Sequence, residues 1–180
     1  MKITTKEITI AAVLTAITCV LAPISIPIGP VPISLGFFCI FLVGAMLPPQ
    51  LAVMSTLVYI VLGAVGVPVF TNFEGGLQKL VGPTGGYLTA YPLMALIIAL
   101  SIVLFKKKNI ISIVVGMVIS LIVGYTFGTA WFVISTGSTI KNALLLCVTP
   151  FIIVDLVKLV CASVLSLAMS KALLKANIKV

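Results

Sequence analysis

Residues Gly66 to Tyr87 read GVPVFTNFEGGLQKLVGPTGGY, and long apolar runs flank this stretch on both sides. Six of its residues are glycine and two are proline. Glycine raises the entropy cost of ordering the chain and proline removes a backbone donor, so the stretch does not form one regular helix. The run Gly82 to Gly86 lets the backbone turn tightly and approach a ligand closely, because no β-carbon stands in the way. Two interpretations stay open here: a structured loop that caps helix ends, and a binding lid.

The rest of the chain has the composition of a membrane protein. Of its 180 residues, 62% are hydrophobic and 8% are charged, whereas a typical soluble domain is about 45–50% apolar and about 25% charged. A helix needs about 20 apolar residues to cross a bilayer, so the length allows up to about six crossings. We predict an all-α integral membrane protein, with residues 1–180 forming a single bundle of six transmembrane helices in the lipid bilayer.

Prolines, glycines and lysines mark the ends of the apolar runs. The predicted spans are residues 5–22, 35–47, 50–65, 87–105, 110–134 and 149–176. The segment 23–34 is apolar but rich in proline, so it is predicted to be extended and to lie over or dip into the protein. Residues 135–142 are predicted to be a polar connection.

The lysines predict the orientation in the membrane. With the N-terminus in the cytoplasm, Lys79 and Lys141 fall outside, and most of the other lysines fall inside. The cytoplasmic set is Lys2, Lys6, Lys106, Lys107, Lys108, Lys171, Lys175 and Lys179. This positive-inside bias predicts an even number of crossings with both termini in the cytoplasm. It also explains the net charge of +8 better than nucleic-acid binding does, since the chain has no nucleic-acid motif.

The sequence does not have the pattern of an enzyme. It contains no histidine, no phosphate-binding GxxxxGK[ST] motif and no CxxC pair, so we expect no ATP hydrolysis by this chain, no metal site and no cofactor. We predict no catalytic residues.

Asp155 and Lys158 are the polar pair to which we assign a function. Both lie in the last predicted span, three residues apart, so their β-carbons share one helix face at about 5–6 Å. Charges inside a membrane usually face a cavity or each other. One interpretation is a structural ion pair, and the other is a polar patch at the bottom of a pocket for a small solute. Asn72 is either a further polar contact for the solute or a turn residue. The candidate apolar walls of the pocket are Phe70, Tyr87 and Tyr91. Trp131 is either another wall residue or a membrane-interface residue.

Ala12 and Ala16 form a small-x-x-x-small pair on the first predicted helix. Such a pair lets another helix approach closely. The approaching helix belongs either to a partner subunit or to the same bundle.

The run GVPVF–x4–GG–x5–GPTGGYL, followed by PFIIVDLVK in the last span, resembles BioY, the biotin-specific capture (S) component of energy-coupling-factor (ECF) vitamin transporters. The resemblance implies a six-helix ECF S-component-like bundle in the cell membrane that binds biotin on its outer side. It implies docking through Ala12 and Ala16 onto a transmembrane coupling subunit (EcfT), with two cytoplasmic ATPase subunits supplying the energy.

Carried over by position, Asp155 and Lys158 match the polar pair of this family, and the segment from Gly82 to Tyr87 matches its loop motif. The loop residues among the predicted substrate contacts are Gly82, Thr84, Gly85, Gly86 and Tyr87. The sequence departs from the family pattern at residues 71–74. The alternatives are an S component for riboflavin or thiamine, an ion-coupled secondary transporter, and a structural subunit without a ligand.

Overall fold

The computed structural model describes residues 4–28, 31–106 and 108–176, and these residues are mostly helical. Within those ranges the α-helices are α1 (Thr5–Leu21), α2 (Gly36–Met46), α3 (Pro49–Ala64), α4 (Leu77–Val81), α5 (Gly85–Leu104), α6 (Ile110–Thr136), α7 (Ile140–Cys147) and α8 (Ile152–Lys175). A 3₁₀ turn covers Thr71–Phe73, and two short strands are β1 (Ser25–Ile26) and β2 (Ile33–Ser34).

Local side-chain caps explain where several helices begin and end. At the start of α1, the Thr4 hydroxyl accepts a hydrogen bond from the Glu7 amide and the Glu7 carboxylate accepts one from the Thr4 amide. This reciprocal arrangement satisfies two amides that a helix terminus leaves unpaired. At the start of α6, the Asn109 side chain accepts from the Ser112 amide at 2.8 Å. The helix ends at Thr136, and the residue that caps it, Gly137, has a φ of 67°, which favours glycine.

The prediction of an extended segment at residues 23–34 is confirmed at its two short strands. β1 and β2 pair antiparallel, with Ser25 opposite Ser34 and Ile26 opposite Ile33. The all-α prediction therefore missed a two-stranded ribbon. Residues 29 and 30 lie outside the described residues.

Two segments predicted to be irregular contain short helices. The predicted polar connection at residues 135–142 is wrong in part, because α7 begins at Ile140 and Thr139 caps it by accepting from the Asn142 amide at 3.4 Å. The 66–86 stretch contains the 3₁₀ turn and α4, which agrees with the structured-loop interpretation. α5 begins at Gly85, two residues before the predicted start.

Within the described residues, α5, α6 and α8 are long and apolar enough to cross a membrane. α2 and α3 are apolar but shorter, with 11 and 16 residues; at 1.5 Å per residue α2 covers only about 16 Å. Six crossings and cytoplasmic termini therefore stay predictions, as does the single-domain assignment. Of the lysines used for the orientation, Lys2, Lys107 and Lys179 lie outside the described residues.

α2 is the central helix of the bundle. Nearly all of its residues are buried, and it packs against α1, α3, α5 and α8. A helix that is apolar on all sides is stable only when protein or lipid surrounds it. The most extensive helix contact is between α5 and α6, since Gly116, Gly124 and Gly128 of α6 face α5 side chains.

One end of the bundle carries the ribbon, the 3₁₀ turn, α4 and α7, and we call it the loop end. Hydrogen bonds join these pieces to one another and to the helices. The Ser25 hydroxyl donates to the Asn72 side chain at 2.6 Å, and the Tyr87 hydroxyl donates to the Cys147 carbonyl at 3.2 Å. These contacts place the first turns of α5 and α8 around one cavity.

Candidate ligand-binding site

Asp155 and Lys158 form a buried ion pair in the first two turns of α8. The Lys158 Nζ lies 2.6 Å from Asp155 Oδ1, and the two side chains are 9% and 4% exposed, respectively. The spacing of three residues brings them to one helix face, as the sequence predicts. The position of Asp155 near the N-terminus of α8 also favours its negative charge, since the helix dipole is positive there.

Tyr125 of α6 completes this polar cluster. Its hydroxyl donates a hydrogen bond of 2.7 Å to Asp155 Oδ2, so both carboxylate oxygens are engaged by protein donors. A hydrogen bond to a charged acceptor is stronger than one between neutral groups. Sequence reasoning missed Tyr125, because it lies 30 residues from Asp155 and no local spacing connects the two.

A cavity of about 50 Å³ opens next to the cluster, and we call it the inner cavity. This is room for a few water molecules at most. Five of its fourteen lining residues are aromatic, and several others carry hydroxyl groups. The residues that line it are Val31, Pro32, Ser34, Phe37, Thr71, Thr84, Tyr87, Leu88, Tyr91, Tyr125, Cys147, Phe151, Asp155 and Lys158.

Phe37 is the centre of the aromatic wall. Its ring centroid lies 6.0–6.1 Å from those of Tyr87, Tyr91 and Tyr125. Such tilted and edge-on arrangements are the favourable geometry for aromatic pairs. Phe37 stands in the first turn of α2, and sequence reasoning missed it because α2 is apolar on every side and its composition does not single out one face.

A second, more polar cavity of about 270 Å³ lies beside the first, and we call it the vestibule. Pro32, Thr71 and Thr84 line both cavities, so the two adjoin at these residues. Lys79, which lines the vestibule, pairs with Glu74 at 2.8 Å. A ligand that spans both cavities would therefore meet an aromatic inner end and a polar loop end.

The predicted site residues fall into three groups in the structure. Those that line the inner cavity are Asp155, Lys158, Thr84, Tyr87 and Tyr91. Asn72 and Gly82 line the vestibule instead. Phe70, Gly85 and Gly86 line neither cavity. Whether each of these residues contacts a ligand stays a prediction.

The glycines of the loop motif allow close packing of the backbone. A β-carbon on Gly85 would overlap the Leu80 carbonyl, and one on Gly86 would overlap the Trp131 side chain. The missing β-carbons of these two glycines therefore let the backbone pack closely against other protein atoms, and their contact with a ligand stays a prediction. The Trp131 indole nitrogen also donates to the Gly82 carbonyl at 2.9 Å, which ties the motif to α6.

Phe70 supports the loop from below. It is 1% exposed, its ring packs edge-on against Tyr59 at 5.7 Å, and it fills the space above Gly63. The Tyr59 hydroxyl donates to the Val69 carbonyl at 2.9 Å. The predicted wall residue Phe70 is thus buried against α3, and its contacts hold the start of the loop on that helix.

Asn72 joins the 3₁₀ turn to the ribbon. Its φ of 64° is the left-handed conformation that asparagine tolerates better than most residues. Its side-chain oxygen accepts from the Ser25 hydroxyl, and its backbone N–H donates to the Pro23 carbonyl at 3.0 Å. The turn-residue interpretation therefore describes its contacts, and contact of Asn72 with a ligand stays a prediction.

Ala12 and Ala16 lie on the exposed face of α1. The opposite face packs into the bundle, where the Thr15 hydroxyl hydrogen-bonds that of Ser55 at 2.7 Å. Packing within the bundle therefore does not explain the small-residue pair.

Among the described residues, no group of three or more His, Cys, Asp or Glu side chains is placed to hold a metal ion. The four cysteines are free thiols.

Comparison with known proteins gives the same family that the loop and α8 motifs resemble. Residues 1–175 match the model of the BioY family. The chain is 38% identical over 161 residues to a probable biotin transporter BioY of Pyrococcus horikoshii, covering 89% of this chain and 94% of that protein. It is 38% identical over 167 residues to the biotin transporter BioY of Thermotoga maritima, covering 92% and 96% of the two chains.

The fold is also that of a solved structure, the S-component for biotin from an ECF-type ABC transporter. The TM-score is 0.88 with 26% sequence identity, over 94% of this chain and 95% of that one. These relatives are transporters and transporter components, which agrees with the prediction that this protein is not an enzyme. The match covers nearly the whole chain, including the loop motif and the Asp155–Lys158 pair, and the chain belongs to the BioY family.

Proposed function

We propose that this protein captures biotin at the outer face of the cell membrane, as the substrate-binding S component of an ECF-type transporter. The observation that carries the proposal is the buried cluster of Asp155, Lys158 and Tyr125 at the base of an aromatic cavity, in a chain of the BioY family.

The cluster matches the chemistry of the biotin head group. The ureido group has two N–H donors and one carbonyl acceptor on adjacent atoms, and the ion pair offers carboxylate acceptors next to ammonium donors within 2.6 Å. Asp155 accepts from one ureido N–H group and Lys158 donates to the adjacent ureido oxygen. The rings of Phe37, Tyr87 and Tyr91 cover the apolar fused ring, as aromatic walls do in most small-molecule sites.

The apolar chain and carboxylate of biotin then extend toward the vestibule. The vestibule carries the Lys79 ammonium and the side-chain amides of Asn72 and Gln78, which suit a carboxylate. Since the inner cavity holds only about 50 Å³, binding requires the shared wall at Pro32, Thr71 and Thr84 to move outward.

The proposal includes a membrane topology and a set of partners. We assign the six crossings to α1, α2, α3, α5, α6 and α8, with both termini in the cytoplasm and the loop end outside. The asymmetric lysines and the agreement with the S-component fold support this arrangement. Ala12 and Ala16 dock onto the transmembrane coupling subunit EcfT, and two cytoplasmic ATPase subunits use ATP, while this chain binds no cofactor of its own.

Equilibrium binding of biotin to the purified protein in detergent tests the proposal, with riboflavin and thiamine as competing vitamins. Trp131 is the single tryptophan of the chain and donates to Gly82 in the loop, so its fluorescence is expected to change on binding. Asp155→Asn and Lys158→Met are expected to lose biotin affinity, whereas Lys141→Met on exposed α7 is the matched control.

The result distinguishes the alternatives. Folded protein that binds riboflavin or thiamine instead of biotin would refute the assigned ligand. Folded protein that binds none of the three would refute ligand capture itself.

A further inference from the structure

Tyr125 stands between two spaces in the structure. On one side it lines the inner cavity with Asp155, and on the other it lines an apolar groove between α6 and α7. Its ring packs against Phe37 at a centroid distance of 6.0 Å, and its hydroxyl reaches across to α8. The side chain is therefore held at both ends, by an aromatic contact and by a hydrogen bond.

The hydrogen-bonding capacity of the cluster shows what Tyr125 contributes. An ionised carboxylate has about four acceptor positions. Lys158 uses one on Oδ1 and Tyr125 uses one on Oδ2. Each oxygen of Asp155 thus keeps a free acceptor position, and Lys158 keeps donors beyond the one given to Asp155.

Without the Tyr125 hydroxyl, the carboxylate would lose the contact that orients its plane. The terminal torsion of aspartate is broad, so Lys158 alone, bonded to one oxygen, does not hold both oxygens in place. Asp155 is 3% exposed. Its Oδ2 would then have to rotate toward another donor in a site that water hardly reaches.

We propose that Tyr125 is a positioning residue for ligand recognition. Its hydroxyl orients the Asp155 carboxylate so that a remaining acceptor position faces the cavity beside the Lys158 ammonium and receives one N–H group of a cyclic urea, while Lys158 donates to the adjacent urea oxygen. This inference rests on the proposed function and deepens it, since it assigns the selectivity for an N–H donor next to a carbonyl acceptor to a residue on α6 that acts through Asp155.

The test compares two substitutions at position 125. Tyr125→Phe keeps the ring and its contact with Phe37 but removes the donor. Replacement of Tyr125 by 4-aminophenylalanine keeps the ring and restores an N–H donor at the same place. Biotin affinity is expected to fall about tenfold to a hundredfold with phenylalanine, the effect of a hydrogen bond to a charged group, and to recover largely with the amino analogue.

Tyr59→Phe is the matched control. It also removes a buried tyrosine hydroxyl, one that donates to the Val69 carbonyl and lies outside the inner cavity. This variant is expected to lower thermal stability and to keep the biotin affinity. A purely structural role of Tyr125 would instead make both phenylalanine variants behave alike.

Two outcomes would overturn the inference. One is biotin affinity of Tyr125→Phe within about twofold of the wild type, against the larger loss expected for a charged hydrogen bond. The other is an amino analogue that binds no better than the phenylalanine variant. Failure of the proposed function has a different signature, because then the wild-type protein itself binds no biotin.

Discussion

Removing the charges of Asp155 and Lys158 one at a time and then together separates a ligand site from a structural ion pair. Lys158→Met leaves the carboxylate buried with the Tyr125 hydroxyl as a remaining donor, and Asp155→Asn leaves the ammonium without its acceptor charge. The combined variant removes both charges and keeps an amide oxygen that Tyr125 can donate to.

The magnitudes follow from the burial of the pair. The Lys158 side chain is 9% exposed and the Asp155 side chain is 4% exposed. Loss of one partner therefore leaves an uncompensated buried charge, which typically costs about 3–5 kcal/mol. At about 2–4 °C per kcal/mol for a chain of this size, each single variant is expected to melt about 6–20 °C lower. The combined variant should be close to the wild type, because exchanging a buried pair for neutral groups is often nearly neutral.

Biotin binding is expected to follow a different pattern. All three variants should lose affinity by about tenfold to a hundredfold or more, since each removes a charged hydrogen-bond partner of the ureido group. The assays are thermal unfolding in detergent and biotin titration on the same preparations. A combined variant with wild-type affinity would show that the pair only holds the helices together.

The Glu74–Lys79 pair is the matched control for stability. Its N···O distance of 2.8 Å is similar, but the side chains are 49% and 25% exposed. An exposed pair contributes only about 0–1 kcal/mol. Glu74→Gln should therefore lower the melting temperature by a few degrees at most.

Three further substitutions test packing, docking and charge. A β-carbon in Gly128→Ala would overlap the Tyr87 ring and push it into the inner cavity, so biotin titration should show weaker binding and unfolding should show a loss of about 1–3 kcal/mol. Ala12→Leu should abolish co-purification with the coupling subunit without changing biotin affinity. Val164→Leu, at an exposed position of α8, should keep both the co-purification and the biotin affinity. Burial lowers the pKa of Lys108 from 10.5 to about 8. Between these values the unfolded chain binds more protons at this amine, so the free energy of unfolding should rise with pH, and Lys108→Met should remove that rise.

The sequence predicted those features that depend on residues close together in the chain. The apolar runs and their prolines and glycines located the long helices to within a few residues. The spacing of Asp155 and Lys158 predicted a shared helix face, and the structure places them 2.6 Å apart. A local signal was also overlooked, since Thr139 before an apolar run is a typical helix start and α7 begins there.

Contacts between distant parts of the chain were not predictable in this way. Tyr125 and Phe37 come to Asp155 only because α2, α6 and α8 pack together. The loop glycines show the same limit. A glycine-rich run indicates a close approach to the backbone, and only the packed structure shows that Leu80 and Trp131 occupy the space beside Gly85 and Gly86.

The position of α2 connects the two surfaces on which the proposed function depends. Its first turn presents Phe37 to the inner cavity, while its sides pack against α1, which carries Ala12 and Ala16, and against α8, which carries the ion pair. Because α2 is buried on nearly every side and protein interiors are close-packed, a shift of the helix itself cannot be absorbed by empty space around it. Ligand binding that moves α2 must therefore also change its contacts with α1 or α8, so the proposed capture site and the proposed docking face contact one shared element of the core.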